Sequence, residues 1–63
     1  MNYIIAKSDK QLGICLRMLY PEQKTFSPEL YLNDKGKVEY RVPIDLSNDR
    51  FEYYKHTFEK LIS

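Results

Sequence analysis

Leu12–Tyr20, LGICLRMLY, is the stretch whose reading decides the fold. Read as a strand, it puts Leu12, Ile14, Leu16 and Met18 on one face and Gly13, Cys15 and Arg17 on the other. A two-residue turn at Ser8-Asp9 then sets Ile5 opposite Leu12 and Tyr3 opposite Ile14, a coherent apolar face. Read as a helix, it places Leu12, Cys15, Leu16 and Leu19 on one stripe, with Ser8 and Gln11 as a capping box and Pro21 as the stop. Ser-Asp is a poor pair for a tight hairpin turn, and Gly13 costs about 1 kcal/mol inside a helix. The strand is adopted. The fold expected is a small antiparallel meander, ββββα, with βαββα and a helix at about 9–20 as the alternative.

Outward from this stretch the pattern is plainer. Asn2–Ala6 (NYIIA) reads as a short β-branched and aromatic strand. Pro21–Pro28 is a loop bounded by prolines, whose one large apolar residue, Phe26, should plug back into the core. Glu29–Ile44 reads as a hairpin. A two-residue turn at Asp34-Lys35 would oppose Leu32 to Lys37 and Leu30 to Glu39. A type I turn over Asn33-Asp34-Lys35, with Gly36 left-handed in a bulge, instead opposes Leu32 to Val38 and Leu30 to Tyr40. A one-residue slip turns every side chain over, so the bulged register is expected. Leu30, Leu32, Val38, Tyr40 and Val42 then share one side, while Tyr31, Lys37, Glu39 and Arg41 face out. Pro43 is expected to end the strand.

Ser47–Ile62 (SNDRFEYYKHTFEKLI) carries Phe51, Tyr54, Phe58, Leu61 and Ile62 on one helical stripe, a greasy ridge to roof the sheet. Ser47, Asn48 or Asp49 can cap it, and Asp49 with Glu52 fits a capping box. Lys55, His56 and Lys60 suit the negative pole of the helix dipole.

Sixty-three residues make one small domain with a thin core and marginal stability. The usual supports for so short a chain are disulfides, a metal or a partner. One cysteine excludes an intrachain disulfide, and one cysteine with one histidine makes a structural zinc site unusual. No cofactor is expected, and a protein partner or self-association becomes the expected support. Ten basic against nine acidic residues leave a net charge of +1, short of the excess typical of duplex-binding domains. No run approaches the ~20 apolar residues needed to span a membrane, and the apolar stretch at the amino end is too short for a signal peptide. A cytoplasmic protein with no membrane partner is expected. Lysine outnumbers arginine seven to three, a usage suited to an AT-rich genome such as a phage's or a low-GC bacterium's.

No residue set points to catalysis. His56 lies about 140° round the last helix from Phe51, with Tyr53 and Lys60 on its face. That trio suits acid-base work on a phosphodiester, as in a small toxin-like ribonuclease, but a solvated helix face explains it better. Cys15, set between Ile14 and Leu16, reads as a small buried apolar side chain. Six tyrosines and three phenylalanines are many for this length, and exposed tyrosines are enriched at protein interfaces and stack on unpaired bases. The candidate partner-binding residues are Tyr31, Lys37, Arg41, Tyr53, His56 and Lys60. The expected function is a non-enzymatic protein-interaction module, regulatory or inhibitory. RNA or single-stranded nucleic-acid binding is the alternative, disfavoured by the balanced charge.

Overall fold

The computed structural model describes all 63 residues. The elements in chain order are β1 (Asn2–Ala6), α1 (Asp9–Leu19), β2 (Glu29–Leu32), β3 (Val38–Ile44) and α2 (Asn48–Ile62). The fold is α+β, with a three-stranded antiparallel sheet ordered β1-β3-β2 and two helices. The meander is overturned, because Leu12–Tyr20 supplies α1 rather than a strand.

The capping box decides that segment. The Ser8 hydroxyl accepts from the Gln11 amide at 3.1 Å, and the Gln11 side chain accepts from the Lys7 amide at 2.9 Å. The first bond satisfies an amide that a helix start leaves orphaned, and the second ties the chain just ahead of the cap to the first turn. Cys15 and Leu19 are completely buried, and Leu12 and Leu16 pack beside them. In a strand, Cys15 would have faced away from Leu12 and Leu16. Burial of the helical stripe outweighs the cost of Gly13. That cost is still recoverable. A methyl group at Gly13 would meet only the far end of the Arg17 side chain, at 3.4 Å. Gly13→Ala is therefore expected to stabilise the chain by roughly 0.5–1 kcal/mol, raising Tm by several degrees in a thermal melt.

β3 is the central strand. It pairs with β1 from Asn2↔Ile44 to Ala6↔Tyr40 and with β2 from Glu29↔Arg41 to Leu32↔Val38. The bulged register holds. The Gly36 amide donates to the Asn33 carbonyl, the Asn33 amide donates to Lys37, and Gly36 takes φ 75°, a conformation open to glycine at little cost. β1 faces the other way from the expectation. Ile4 and Ala6 are in the core with Val42 and Ile44, and Tyr3 and Ile5 lie on the helix-free face.

Pro43 does not end β3. Its missing donor falls on the β2 side, where β2 has not yet begun, so the strand continues against β1 to Ile44. The gap beside it is closed by the loop. The buried Gln23 side chain donates to the Pro43 carbonyl at 3.1 Å and accepts from the Asp45 amide at 2.9 Å. Its amide takes the place that a strand's peptide group would hold.

α2 is capped by Ser47, whose hydroxyl accepts from the Arg50 amide at 3.3 Å, so the Asp49 capping box is not the one used. Phe51 and Phe58 are buried against the sheet and α1, with Tyr54 and Ile62 half-buried beside them. Leu61 is the exception in the ridge and remains exposed. Phe26 packs on the core as expected. Neither helix is long and apolar enough to cross a membrane.

Candidate protein-interaction surface

Both helices cover one face of the sheet, which leaves the other face open. Odd-numbered positions build that face: Tyr3 and Ile5 from β1, Glu39, Arg41 and Pro43 from β3, Glu29 and Tyr31 from β2. Arg41 is at its centre, with its guanidinium carbon 4.8 Å from the Tyr3 ring centre and 5.6 Å from that of Tyr31. Nε and Nη2 of Arg41 donate to Glu29 Oε1 at 3.1 and 2.7 Å. That ion pair holds the Arg41 pKa above its ordinary value. Tyr31 donates to Glu39 Oε1 at 2.8 Å, and the Asn33 side chain donates to Oε2 at 3.0 Å. Hydrogen bonds from Asn33 and then Tyr31 hold the Glu39 carboxylate below the ordinary range, and Glu39 in turn pushes the Tyr31 phenol up. The result is a flat strip of aromatic rings around a guanidinium whose charge is already answered.

Of the six candidate residues, the fold brings Tyr31 and Arg41 together and adds Tyr3. Lys37 stands apart at the hairpin end, beside Lys7 and Lys35 around a shallow recess whose lining includes Asn33 and the buried Glu39. Tyr53, His56 and Lys60 lie on the solvent side of α2, so they cannot share a surface with the open sheet face. His56 is exposed, with Nδ1 3.8 Å from Glu59 Oε1. Tyr53 packs edge-on to Tyr54, 5.2 Å between centres, and lies under the Arg50 guanidinium at 4.8 Å. No group of three His, Cys, Asp or Glu side chains converges as a metal site would require. Burial pushes the Cys15 thiol up to about 11, far from the thiolate that nucleophilic chemistry needs.

Tyr3 is the residue that sequence reasoning misplaced. Its signal was the alternation in NYIIA, where Ile4 and Ala6 form one parity and Tyr3 and Ile5 the other. Pairing this strand with Leu12–Tyr20 chose the wrong parity for the core.

A second polar cluster ties the loop to α2. Arg50 donates to both carboxylate oxygens of Glu22, Nε to Oε2 at 2.9 Å and Nη2 to Oε1 at 2.8 Å, and Tyr54 donates to Oε1 at 2.6 Å. These bonds, Arg50 first, lower the Glu22 pKa from 4.5 to about 2. A depressed carboxylate stabilises the fold fully above its unfolded pKa, and that stabilisation fades as pH falls from 4.5 to about 2. Glu22→Gln is therefore expected to flatten the loss of stability across this window in urea titrations at stepped pH. The pair is partly exposed, so the effect should be modest and should shrink with added salt.

Compared with models of known protein families, with curated proteins and with solved structures, the chain matches none.

Proposed function

We propose that this chain is a small non-enzymatic interaction module that regulates or inhibits a larger protein by covering part of its surface. The observation that supports this reading is the open sheet face, where Tyr3, Arg41 and Tyr31 form one continuous strip. Tyrosine and arginine are the residues most enriched among those that dominate binding at protein interfaces. Rings held by a sheet lose little freedom when a partner closes over them. Charge points the same way. Arg41 and Arg50 are bound to Glu29 and Glu22, which leaves Arg17 as the one arginine without a carboxylate partner. A surface that meets phosphates keeps its guanidinium groups available; the one guanidinium on this face is already bound to Glu29.

The test is affinity capture from the native host on immobilised wild-type chain, Arg41→Ala, Arg41→Lys and Tyr53→Ala. A protein retained by the wild type and by Tyr53→Ala, and weakened about 30-fold or more by Arg41→Ala, supports the proposal; that is the ~2 kcal/mol typical of a dominant contact. Arg41→Lys should also bind weakly, because an ammonium does not stack or fork like a guanidinium. Equal retention on Arg41→Ala overturns the assignment of the face. Material released by nuclease, with affinity falling steeply as salt rises, overturns the protein partner in favour of nucleic acid.

A further inference from the structure

The helix-side face of the sheet is only partly roofed. Beyond Tyr40 the helices give out, and Leu30, Leu32 and Val38 are left 66%, 68% and 53% exposed. Leu30 and Leu32 lie on β2, whose outer edge no strand covers, and Val38 stands behind Leu32 on β3. We infer that this edge is a homodimer seam, where β2 pairs antiparallel with β2 of a second copy to give a six-stranded sheet.

Backbone pattern selects the second copy and its register. The hairpin closes through the Asn33 amide and the Lys37 carbonyl. Hydrogen-bonded pairs alternate along an antiparallel ladder, so Tyr31↔Glu39 and Glu29↔Arg41 bond inward. The amides and carbonyls of Leu30 and Leu32 therefore point outward, two donors and two acceptors. A two-fold axis normal to the sheet must set residues of the same face opposite each other. Two registers centred on this strand do so. One opposes Leu30 to Leu30 of the second copy, which makes a single bonded pair and sets Leu32 against Pro28, a residue with no donor. The other opposes Tyr31 to Tyr31 of the second copy, and Leu30 to Leu32. It satisfies all four outward groups on each chain and joins the leucines into one apolar band.

Charge agrees with the second register. Antiparallel pairing sets the hairpin end of one chain, with Lys35 and Lys37, beside Glu29 of the other. The same arrangement occurs twice, as an isologous contact requires. Built from two leucines and one four-residue strand edge on each chain, the seam is small beside the ~1,200–2,000 Å² of stable specific interfaces. A reversible dimer of micromolar or weaker affinity is the expected strength. The seam shares Tyr31 with the proposed partner surface but not Arg41 or Tyr3, and it would bring two Tyr3–Arg41–Tyr31 strips into one continuous face.

Sedimentation velocity from about 10 µM to about 1 mM tests it, spanning the affinity expected of so small a seam. The wild type should pass from monomer to dimer. Leu32→Lys should remain monomeric, since lysine on an edge strand blocks pairing. Leu30→Pro should keep the monomer fold by circular dichroism and lose the dimer, because proline is tolerated where the amide points outward. Tyr31→Cys should form a disulfide-linked dimer on mild oxidation. Its position on the axis is a non-bonded pair with Cα atoms ~4.5 Å apart, within the disulfide range; Cys15 is buried and should not compete. A wild type that is monomeric throughout, or a dimer that survives both Leu32→Lys and Leu30→Pro, overturns the seam. Arg41→Ala should leave the dimer intact, which separates failure here from failure of the proposed function.

Discussion

Replacing Phe58 with alanine is expected to leave a large fraction of the chain unfolded in water at 25 °C. Phe58 is 3% exposed and sits where α2 meets the sheet and α1. Truncating a buried phenylalanine costs about 3–5 kcal/mol, because the lost transfer energy is joined by a cavity that neighbours only partly fill. A chain of 63 residues has a total stability of only about 3–9 kcal/mol. The mutation thus removes a third to all of it. Leu61→Ala, three positions on, should cost under ~0.5 kcal/mol, since Leu61 is 55% exposed. Urea titrations followed by far-ultraviolet circular dichroism compare the two directly. Equal midpoints for Phe58→Ala and Leu61→Ala would refute the packing of α2.

Gln23→Leu is the second large effect, and it arises from polarity rather than volume. Leucine nearly fills the same space but returns none of three hydrogen bonds. The side chain donates to the Thr25 and Pro43 carbonyls at 3.1 Å each and accepts from the Asp45 amide. Each group left unpaired away from water costs about 1–3 kcal/mol; part of this is recovered if water enters, so a net loss of about 2–4 kcal/mol is expected. Amide exchange locates the damage. Protection at Asp45 should fall sharply in Gln23→Leu, while protection at Val42, bonded within the sheet, should fall only as far as global stability does. Unchanged exchange at Asp45 would show that the Gln23 bond is not formed in solution.

The hairpin and the last helix were legible because their patterns admit one solution. Only the bulged turn keeps Leu30 and Leu32 away from charged partners, and only a period near 3.6 collects Phe51, Tyr54 and Phe58. Leu12–Tyr20 was not legible on periodicity, because apolar residues fill it at nearly every position and so fit two periods at once. The Ser8–Gln11 pair held the answer and was outweighed by a glycine whose cost is small. Pattern also fixed which residues share a face without fixing how far the helices reach. Leu30, Leu32 and Val38 lie on the core side and still meet water. The candidate site was half legible for a related reason: Tyr31 and Arg41 follow from hairpin register alone, but Tyr3 depended on knowing which strand β1 would join. Gln23 left no sequence signal, since a glutamine in a loop looks the same whether it bridges two strands' worth of backbone or none.

A sheet whose middle strand finds its last partner in one amide side chain makes little demand on the residues that follow. Between that anchor and the start of β2, Lys24, Thr25 and Ser27 are open to solvent and Phe26 alone leans inward. Length and composition there can drift so long as Phe26 keeps its seat on the core and the Thr25 carbonyl its bond to Gln23. An epitope or a pair of new chain ends is expected to be tolerated beside Ser27, which is open to solvent.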